Sequence, residues 1–254
     1  MQKDLISVII PTIGLRNIEK TLKSIKLQTY TEHELIIVED KDRRGAPWAR
    51  NKGAKKASGE YLLFLDDDVV LSPKFMETLK NELEKDKTFS FAYCNYRRTG
   101  FYNDIIKGNP FKVSNLLNDN FISTMSLVRA SDFPGFDESL KRFQDWDLWL
   151  TITEKGGKGI WVDKVLFQAE YDGRGITDFS QDDAFFYRDI VRIKHGMGES
   201  VVTENYKIIN SLRKELSIQT ERLNFLNMRL DKVKNSRTWK LRNYLAKILG
   251  REEV

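Results

Sequence analysis

The period of the apolar positions changes along the chain, and each period predicts a different kind of element. Leu5-Ile6-Ser7-Val8-Ile9-Ile10 is largely β-branched and bounded by Pro11, the pattern of a buried strand. From Asn17 to Thr29 the apolar residues Ile18, Leu22, Ile25 and Leu27 fall at helical spacing. Glu34–Val38 predicts a second strand ending on Glu39-Asp40, and Ala46–Ala57 a short helix. Glu60–Leu65 predicts a third strand, stopped by Asp66-Asp67-Asp68. Ser72-Pro73 then reads as a helix start, with Ser72 as the side-chain cap and Pro73 in the first turn. Strands that are apolar throughout and alternate with helices predict an α/β fold on a parallel sheet. Ligands bind such sheets beyond the carboxyl ends of the strands, which is where these acids fall.

The pattern is mixed from Phe89 to Asp172. Strands are predicted at Phe89–Asn95, Phe121–Val128 and Trp161–Tyr171, a turn at Phe133-Pro134-Gly135, and a helix from Asp145 to Lys155. Phe179–Lys194 predicts a closing helix. Beyond it the period becomes a heptad: Ile209, Leu212, Leu216, Gln219, Leu223, Leu226, Leu230 and Val233 step alternately by three and four. A narrow seam of this kind predicts a coiled coil in which Gln219 can fix register, or else a long helix packed on the body. Trp239, Leu241, Tyr244, Leu245, Ile248 and Leu249 share a last helical face among Arg237, Lys240, Arg242 and Lys247. That basic amphipathic pattern suits an anionic membrane surface or docking on protein. The expected organisation is therefore 1–200 as one α/β domain, 201–235 as a coiled-coil helix and 236–254 as a basic amphipathic helix.

Charge changes this picture only in the tail. The 254 residues carry a formal net charge of +5, which alone suggests an anionic partner. Yet residues 1–200 hold 30 Lys and Arg against 31 Asp and Glu, while residues 201–254 hold 12 against 6. The body is neutral and lacks any nucleic-acid-binding motif, so nucleic acid is not an expected partner. The lone cysteine, Cys94, excludes an internal disulfide framework and a multi-cysteine zinc module. No apolar run approaches the roughly 18 residues of a membrane span, and Met1-Gln2-Lys3-Asp4 has no signal-peptide pattern. A cytoplasmic location follows as the expectation.

The acid triplet carries the chemistry. Three adjacent carboxylates repel one another and raise each other's pKa unless a positive charge is present. A hard divalent ion supplies one, and the alternate residues Asp66 and Asp68 can reach a single site. Oxygen-only ligation favours Mg²⁺ or Mn²⁺, completed by phosphate oxygens and water. A solvated acidic turn is the alternative.

Several segments fall in a telling order: Ser7-Val8-Ile9-Ile10-Pro11-Thr12, Ser24 through Gln28-Thr29, Leu35–Asp40, Ala49-Arg50-Asn51-Lys52-Gly53 and Gly59 through Asp68. Together they resemble the nucleotide-binding half of the family 2 inverting glycosyltransferases of GT-A fold. Gly135-Phe136-Asp137-Glu138 and Gln144-Asp145-Trp146-Asp147-Leu148-Trp149 resemble the acceptor-side motif of that family. The resemblance covers roughly residues 5–178. It implies a Rossmann-like, mostly parallel sheet flanked by helices, and transfer of a sugar from a nucleoside-diphosphate donor, a UDP-sugar, to a saccharide hydroxyl. Many bacterial members extend lipid-linked surface polysaccharides, which implies a lipid-linked acceptor and docking at the inner face of the membrane.

The resemblance also implies residue roles. Asp40 matches the acid that binds the base, and Glu39 replaces an acid that is usually Asp. Pro11, Arg50, Asp66 and Asp67 fall on the donor side, with Arg50 near the diphosphate and Asp66 at the ribose. Asp68 matches the ligand of Mn²⁺ or Mg²⁺, and Asp145 the general base. Gln144 stands where the family often has Glu, so it can orient an acceptor but not titrate. Trp146 is a candidate sugar-stacking residue, with burial the alternative, and Asp147 a structural acid. Many relatives have a metal-proximal histidine after the last strand of the domain. Neither His33, expected in an exposed surface turn, nor His195, expected simply to end its helix, lies there. Asp172 sits near that place as a candidate ligand, and Arg174 as a candidate diphosphate clamp. Competing readings are a nucleotidyltransferase, for which Ile13-Gly14-Leu15-Arg16 is a poor phosphate loop, and an inactive scaffold acting through its coiled coil.

Overall fold

The structure is a computed structural model that describes residues 1–171, 181–197, 200–236, 239 and 241. The chain divides into two compact units, Met1–Gly198 and Glu199–Val254. The first is built on one sheet with strand order β2-β1-β3-β7-β5-β8-β4, and β6 pairs beside β5. The strands are β1 (Gln2–Thr12), β2 (His33–Glu39), β3 (Gly59–Phe64), β4 (Val69–Leu71), β5 (Phe89–Gly100), β6 (Asp104–Ile106), β7 (Leu127–Arg129) and β8 (Lys158–Tyr171). The helices are α1 (Glu19–Lys26), α2 (Ala46–Ala54), α3 (Phe75–Leu83), α4 (Val113–Asn118), α5 (Gln144–Glu154) and α6 (Gln181–Lys194).

Alternation along the central strands explains their unbroken apolar runs. Ile6, Val8 and Ile10 of β1, with Tyr61 and Leu63 of β3, face one core, packed against Phe75, Leu79 and Leu83 of α3. Ile9, Leu62 and Phe64 face a second core built with Trp146, Trp149 and Ile152 of α5. Both faces of the sheet are thus covered, and each large side chain buried there contributes roughly 1.5–3 kcal/mol.

The sheet is mixed, where the sequence pattern predicts a parallel one. β1 pairs in parallel with β2 and β3, and β5 with β8, but β7 runs antiparallel between β3 and β5. The strand expected over Phe121–Val128 is confined to β7. Its first part turns instead, with Ser126 Oγ donating to the Ser123 carbonyl at 2.6 Å and the Trp149 indole donating to the Ile122 carbonyl at 3.0 Å. Ser72 is not a side-chain cap: α3 begins at Phe75 with no such bond at its N-cap, and Ser72 Oγ is buried without a partner among the described residues. Gln28 satisfies that end instead. Its Oε1 accepts from Met76 N at 3.1 Å while its Nε2 donates to the Ser72 carbonyl at 2.7 Å.

Two glycines position α2. Gly45 enters the helix at φ 105°, a conformation that favours glycine. A Cβ at Gly53 would collide with Ile9, so its absence lets α2 lie close on β1.

The second unit contains α7 (Ser200–Lys234), 35 residues long. The seven apolar seam residues expected from the heptad are all exposed, from 42% at Ile209 to 67% at Leu216. The basic segment 236–254 lies almost entirely outside the described residues.

Candidate active site

The carboxyl ends of β1, β2 and β3 open into a cavity of about 580 Å³, and Pro11, Asp40, Arg50, the acid triplet and Asp145 all line it. Residues expected to work together on sequence grounds are therefore brought to one wall system. Asp172 and Arg174 lie outside the described residues.

Each acid of the triplet has its own partner. Asp66 Oδ1 accepts from Arg50 Nη2 at 2.6 Å. Asp67 Oδ2 accepts from Thr12 Oγ1 at 2.7 Å, and its carbonyl accepts from Thr21 Oγ1 at 3.1 Å, so Asp67 ties β1 and α1 to the end of β3. Asp68 Oδ2 accepts from Arg16 Nη1 at 2.9 Å. Burial, and then repulsion from Asp66, pushes the Asp68 carboxyl up to about 7, Arg16 pulling the other way and Asp67 adding to the rise. Arg16 offsets only part of that crowding of negative charge, and the clustered carboxylate oxygens are the ligand type that Mg²⁺ or Mn²⁺ prefers. Among the described residues no three His, Cys, Asp or Glu side chains form a metal cage. Asp66 and Asp68 are the carboxylates that would hold such an ion, with phosphate oxygens and water as the remaining ligands.

Asp40 is buried at the end of β2 and organises its own loop. Its two carboxylate oxygens accept from Arg44 N at 2.9 Å and Gly45 N at 2.7 Å. Each oxygen has capacity for a further hydrogen bond, and Asp40 lines the cavity.

Arg50 links the two halves of the site. Its side chain is 7% exposed and joins Asp66 to Gln144, whose Oε1 accepts from Nη1 at 2.8 Å. Arg50 Nε is buried and unpartnered among the described residues. Gln144 Nε2 donates to the Lys141 carbonyl at 3.0 Å, so both ends of that amide are engaged. Gln144, expected on sequence grounds to orient an acceptor, holds Arg50 in place. The stacking role expected of Trp146 is overturned outright: the ring is fully buried in the second core, and its indole donates to the Leu116 carbonyl at 2.7 Å.

Asp145 sits in the first turn of α5, which Phe143 enters at φ 56°. Burial raises the Asp145 carboxyl above the usual carboxylate range, against the opposing pull of the Trp146 amide, Arg50 and Asn120. A carboxylate of raised pKa is a stronger base. Asp147 is turned away, as expected of a structural acid, and is held by Lys194 and His195 from the end of α6. His195 does more than end its helix: its ring is 2% exposed, with Nε2 2.9 Å from Asp147 and Nδ1 2.6 Å from Glu154. His33 opens β2 half-buried, Nδ1 lying 3.1 Å from the Tyr30 carbonyl.

Arg16 escaped the sequence reading except as part of a poor phosphate loop. The available signal was a lone arginine in the connection leaving β1, opposite the acids that end β3. Asn120 and Tyr171, also on the cavity wall, carry no comparable motif.

A family model described as glycosyl transferase family 2 matches residues 40–131. The Escherichia coli protein WfaP, a UDP-Glc:alpha-D-GlcNAc-diphosphoundecaprenol beta-1,3-glucosyltransferase, is 31% identical over 189 residues, covering 61% of this chain and 72% of WfaP. The chain belongs to glycosyl transferase family 2. Bacillus subtilis TuaG, a putative teichuronic acid biosynthesis glycosyltransferase, is 26% identical over 227 residues, covering 75% of this chain and 90% of TuaG. Other relatives, uncharacterised glycosyltransferases from Rickettsia conorii and Rickettsia felis, are 27% and 25% identical, and the match covers 66% of this chain and 33% of each of them. Among solved structures, Staphylococcus aureus TarS 1–349 in complex with UDP-GlcNAc has a TM-score of 0.60 at 17% identity, covering 74% of this chain and 65% of that one. The mannosyltransferase PcManGT from Pyrobaculum calidifontis, in complex with GDP-Man and Mn²⁺, has a TM-score of 0.58 at 14% identity, covering 93% and 82%. These two likenesses establish the fold: a mixed α/β sheet flanked by helices, like that of GT-A proteins.

Proposed function

We propose that this family 2 chain is a metal-dependent inverting transferase that moves a hexosyl group from a UDP-sugar to a saccharide hydroxyl on a lipid-linked acceptor. The observation that carries the reading is the convergence of Asp66, Asp68, Arg50 and Asp145 on one cavity at the strand ends. The lipid-linked acceptor is supported by the substrate in the name of WfaP, and UDP by that name and by the TarS complex.

In the proposed reaction the acceptor oxygen bonds to the anomeric carbon as the bond from that carbon to the diphosphate oxygen breaks, on the opposite face. Asp145 takes the proton of the acceptor hydroxyl. Asp40 and Pro11 bound the base, Asp66 the ribose, and Arg50 and Arg174 face the diphosphate, with Asp67 bracing the strand end. Gln144 acts by fixing Arg50. Asp68, with Asp66 beside it and Asp172 as a further ligand, would hold Mn²⁺ or Mg²⁺. When bound, that ion supplies positive charge where the nucleoside diphosphate departs.

Residues 1–200 form the transferase domain in this reading. Residues 201–235 pair two chains as a coiled coil through 209–233, and residues 236–254 bring them to the anionic inner face of the membrane. Among the described residues no helix is long and apolar enough to cross a membrane.

Asp145→Asn is the decisive variant. Transfer from UDP-glucose should fall by about 10²–10⁴, while calorimetric binding of UDP with Mn²⁺ stays unchanged. Near wild-type turnover would remove Asp145 from the role of base. Unchanged UDP and Mn²⁺ binding by Asp68→Ala would remove the proposed metal site.

A further inference from the structure

We infer that α7 pairs antiparallel with α7 of a second copy of this chain, in a register centred between Thr220 and Arg222. The inference rests on the self-association proposed above and adds its direction, which neither the heptad nor the fold decides. The seam assigns Ile209, Leu216, Leu223 and Leu230 to one set of core positions, conventionally a. Leu212, Gln219, Leu226 and Val233 take the other, d. The seven aliphatic members of this stripe are exposed.

The stripe is nearly palindromic. Reflected about residue 221, Ile209 meets the partner's Val233, Leu212 meets the partner's Leu230, and Leu216 meets the partner's Leu226. The β-branched residues pair at the ends and leucine pairs with leucine inside them. Gln219 meets the partner's Leu223, and the two Gln219 side chains lie on either side of the two-fold axis, about 6 Å apart along the helices, close enough to bond across it. In a parallel pair they would face one another directly, so Gln219 is accommodated in either direction.

The flanking charges discriminate. In a parallel pair each g position faces the e position five residues on. Glu215 would then meet the partner's Thr220, Arg222 the partner's Asn227, and Arg229 the partner's Lys234. These positions are all exposed, and the parallel arrangement gives two like-charge contacts by symmetry with no attractive one. In the antiparallel register g faces g and e faces e. Glu215 then meets the partner's Arg229 twice over, Arg213 meets the partner's Asn227, and Arg222 meets its own symmetry mate once. Two attractions against one repulsion replace two repulsions alone.

Two measurements on the full chain test the direction. Cys94 is buried, its thiol pushed up to about 12, so a cysteine introduced on α7 is the reactive one. Antiparallel pairing puts the two copies of residue 212 about 27 Å apart and residue 212 against the partner's residue 230. Leu212→Cys alone should therefore give no cross-linked dimer under mild oxidation, whereas a mixture of Leu212→Cys and Leu230→Cys chains should link one of each. The second measurement reads the sign of a charge change. Arg229→Glu places a carboxylate against the partner's Glu215 in the antiparallel register and should weaken the dimer about tenfold by sedimentation. In a parallel pair the same carboxylate would meet the partner's Lys234 and tighten it. Adding Glu215→Arg to Arg229→Glu should restore the wild-type dimer. A wild-type chain that sediments as a monomer at micromolar concentration overturns self-association and direction together. A stable dimer with Leu212→Cys homodimers, or a tighter Arg229→Glu dimer, overturns the direction alone.

Discussion

Raising the pH through neutrality should loosen the joint between α5 and α6. His195 sits there with both ring nitrogens within hydrogen-bond distance of carboxylates, Nε2 at 2.9 Å from Asp147 and Nδ1 at 2.6 Å from Glu154. A neutral imidazole has only one N–H, so one of the two carboxylates would then face a lone pair. Both contacts are satisfied only by the imidazolium. Burial opposes that charge, but the hydrogen bonds and charges of Asp147 and Glu154 outweigh it and raise the ring's pKa above 6.5. The sign follows from that direction. The group's contribution is fully present below about pH 6.5, and it is lost as the pH rises through the higher folded value. Deprotonation removes one hydrogen bond to a charged group, worth about 1.5–3 kcal/mol, while Lys194 at 2.8 Å keeps Asp147 paired. For a chain of this size, about 2 kcal/mol corresponds to a Tm lower by roughly 4–8 °C. Urea melts of the wild type and of His195→Gln at pH 6 and pH 9 check it. The wild type should lose about 2 kcal/mol more than the variant across that interval. Parallel losses would show that the buried ring is already neutral at pH 6 and refute the argument.

Trp146→Phe should leave the acceptor KM unchanged in steady-state kinetics, because the ring is in the core, whereas Trp146→Ala should cost about 3–5 kcal/mol in a denaturant melt. Gln144→Ala frees one hydrogen bond of a nearly buried guanidinium and should destabilise the fold by about 1–3 kcal/mol, with kcat falling because Arg50 is less well fixed. Arg16→Ala removes the guanidinium that occupies Asp68, and Mn²⁺ titration of the donor-free protein by electron paramagnetic resonance should show binding about fivefold tighter, a gain of about 1 kcal/mol. Burial pushes the Glu84 carboxyl up, but bonds from Lys87, Tyr61 and Arg129 prevail and hold it at about 2. Its contribution is present above about pH 4.5 and lost as the pH falls through 2, so Glu84→Gln should flatten the acid limb of the stability profile.

The legible parts of the fold were those where one local signal had no rival. Strands β1 and β3 are buried on both faces, so their apolar runs are unbroken, and the three acids ending β3 stand out because charge is costly beside such a strand. What escaped the sequence depends on partners far along the chain. Gln28 caps α3 from 48 residues away, and Asp147 is neutralised from the end of α6 by Lys194 and His195. The antiparallel sense of β7 is fixed by its neighbours β3 and β5, since three residues hold too little pattern to set it. Trp146 shows the limit most directly. An aromatic next to a candidate base has the same letter whether it faces a sugar or the core, and only its bond to Leu116 separates the two.

The bonds from Asp40 to Arg44 N and Gly45 N have a bearing on selectivity. A free segment closing over a ligand loses about 1–2 kcal/mol of backbone entropy per residue it orders. The stretch between β2 and α2 is already anchored by a carboxylate of its own, so a molecule arriving there meets a finished wall. Discrimination at such a wall depends on shape, because a rigid contour rejects an oversized ring that a pliant one would wrap. In the proposed reading, where Asp40 bounds the base, replacing it would thus blur which bases are turned away as well as weaken the grip on the right one.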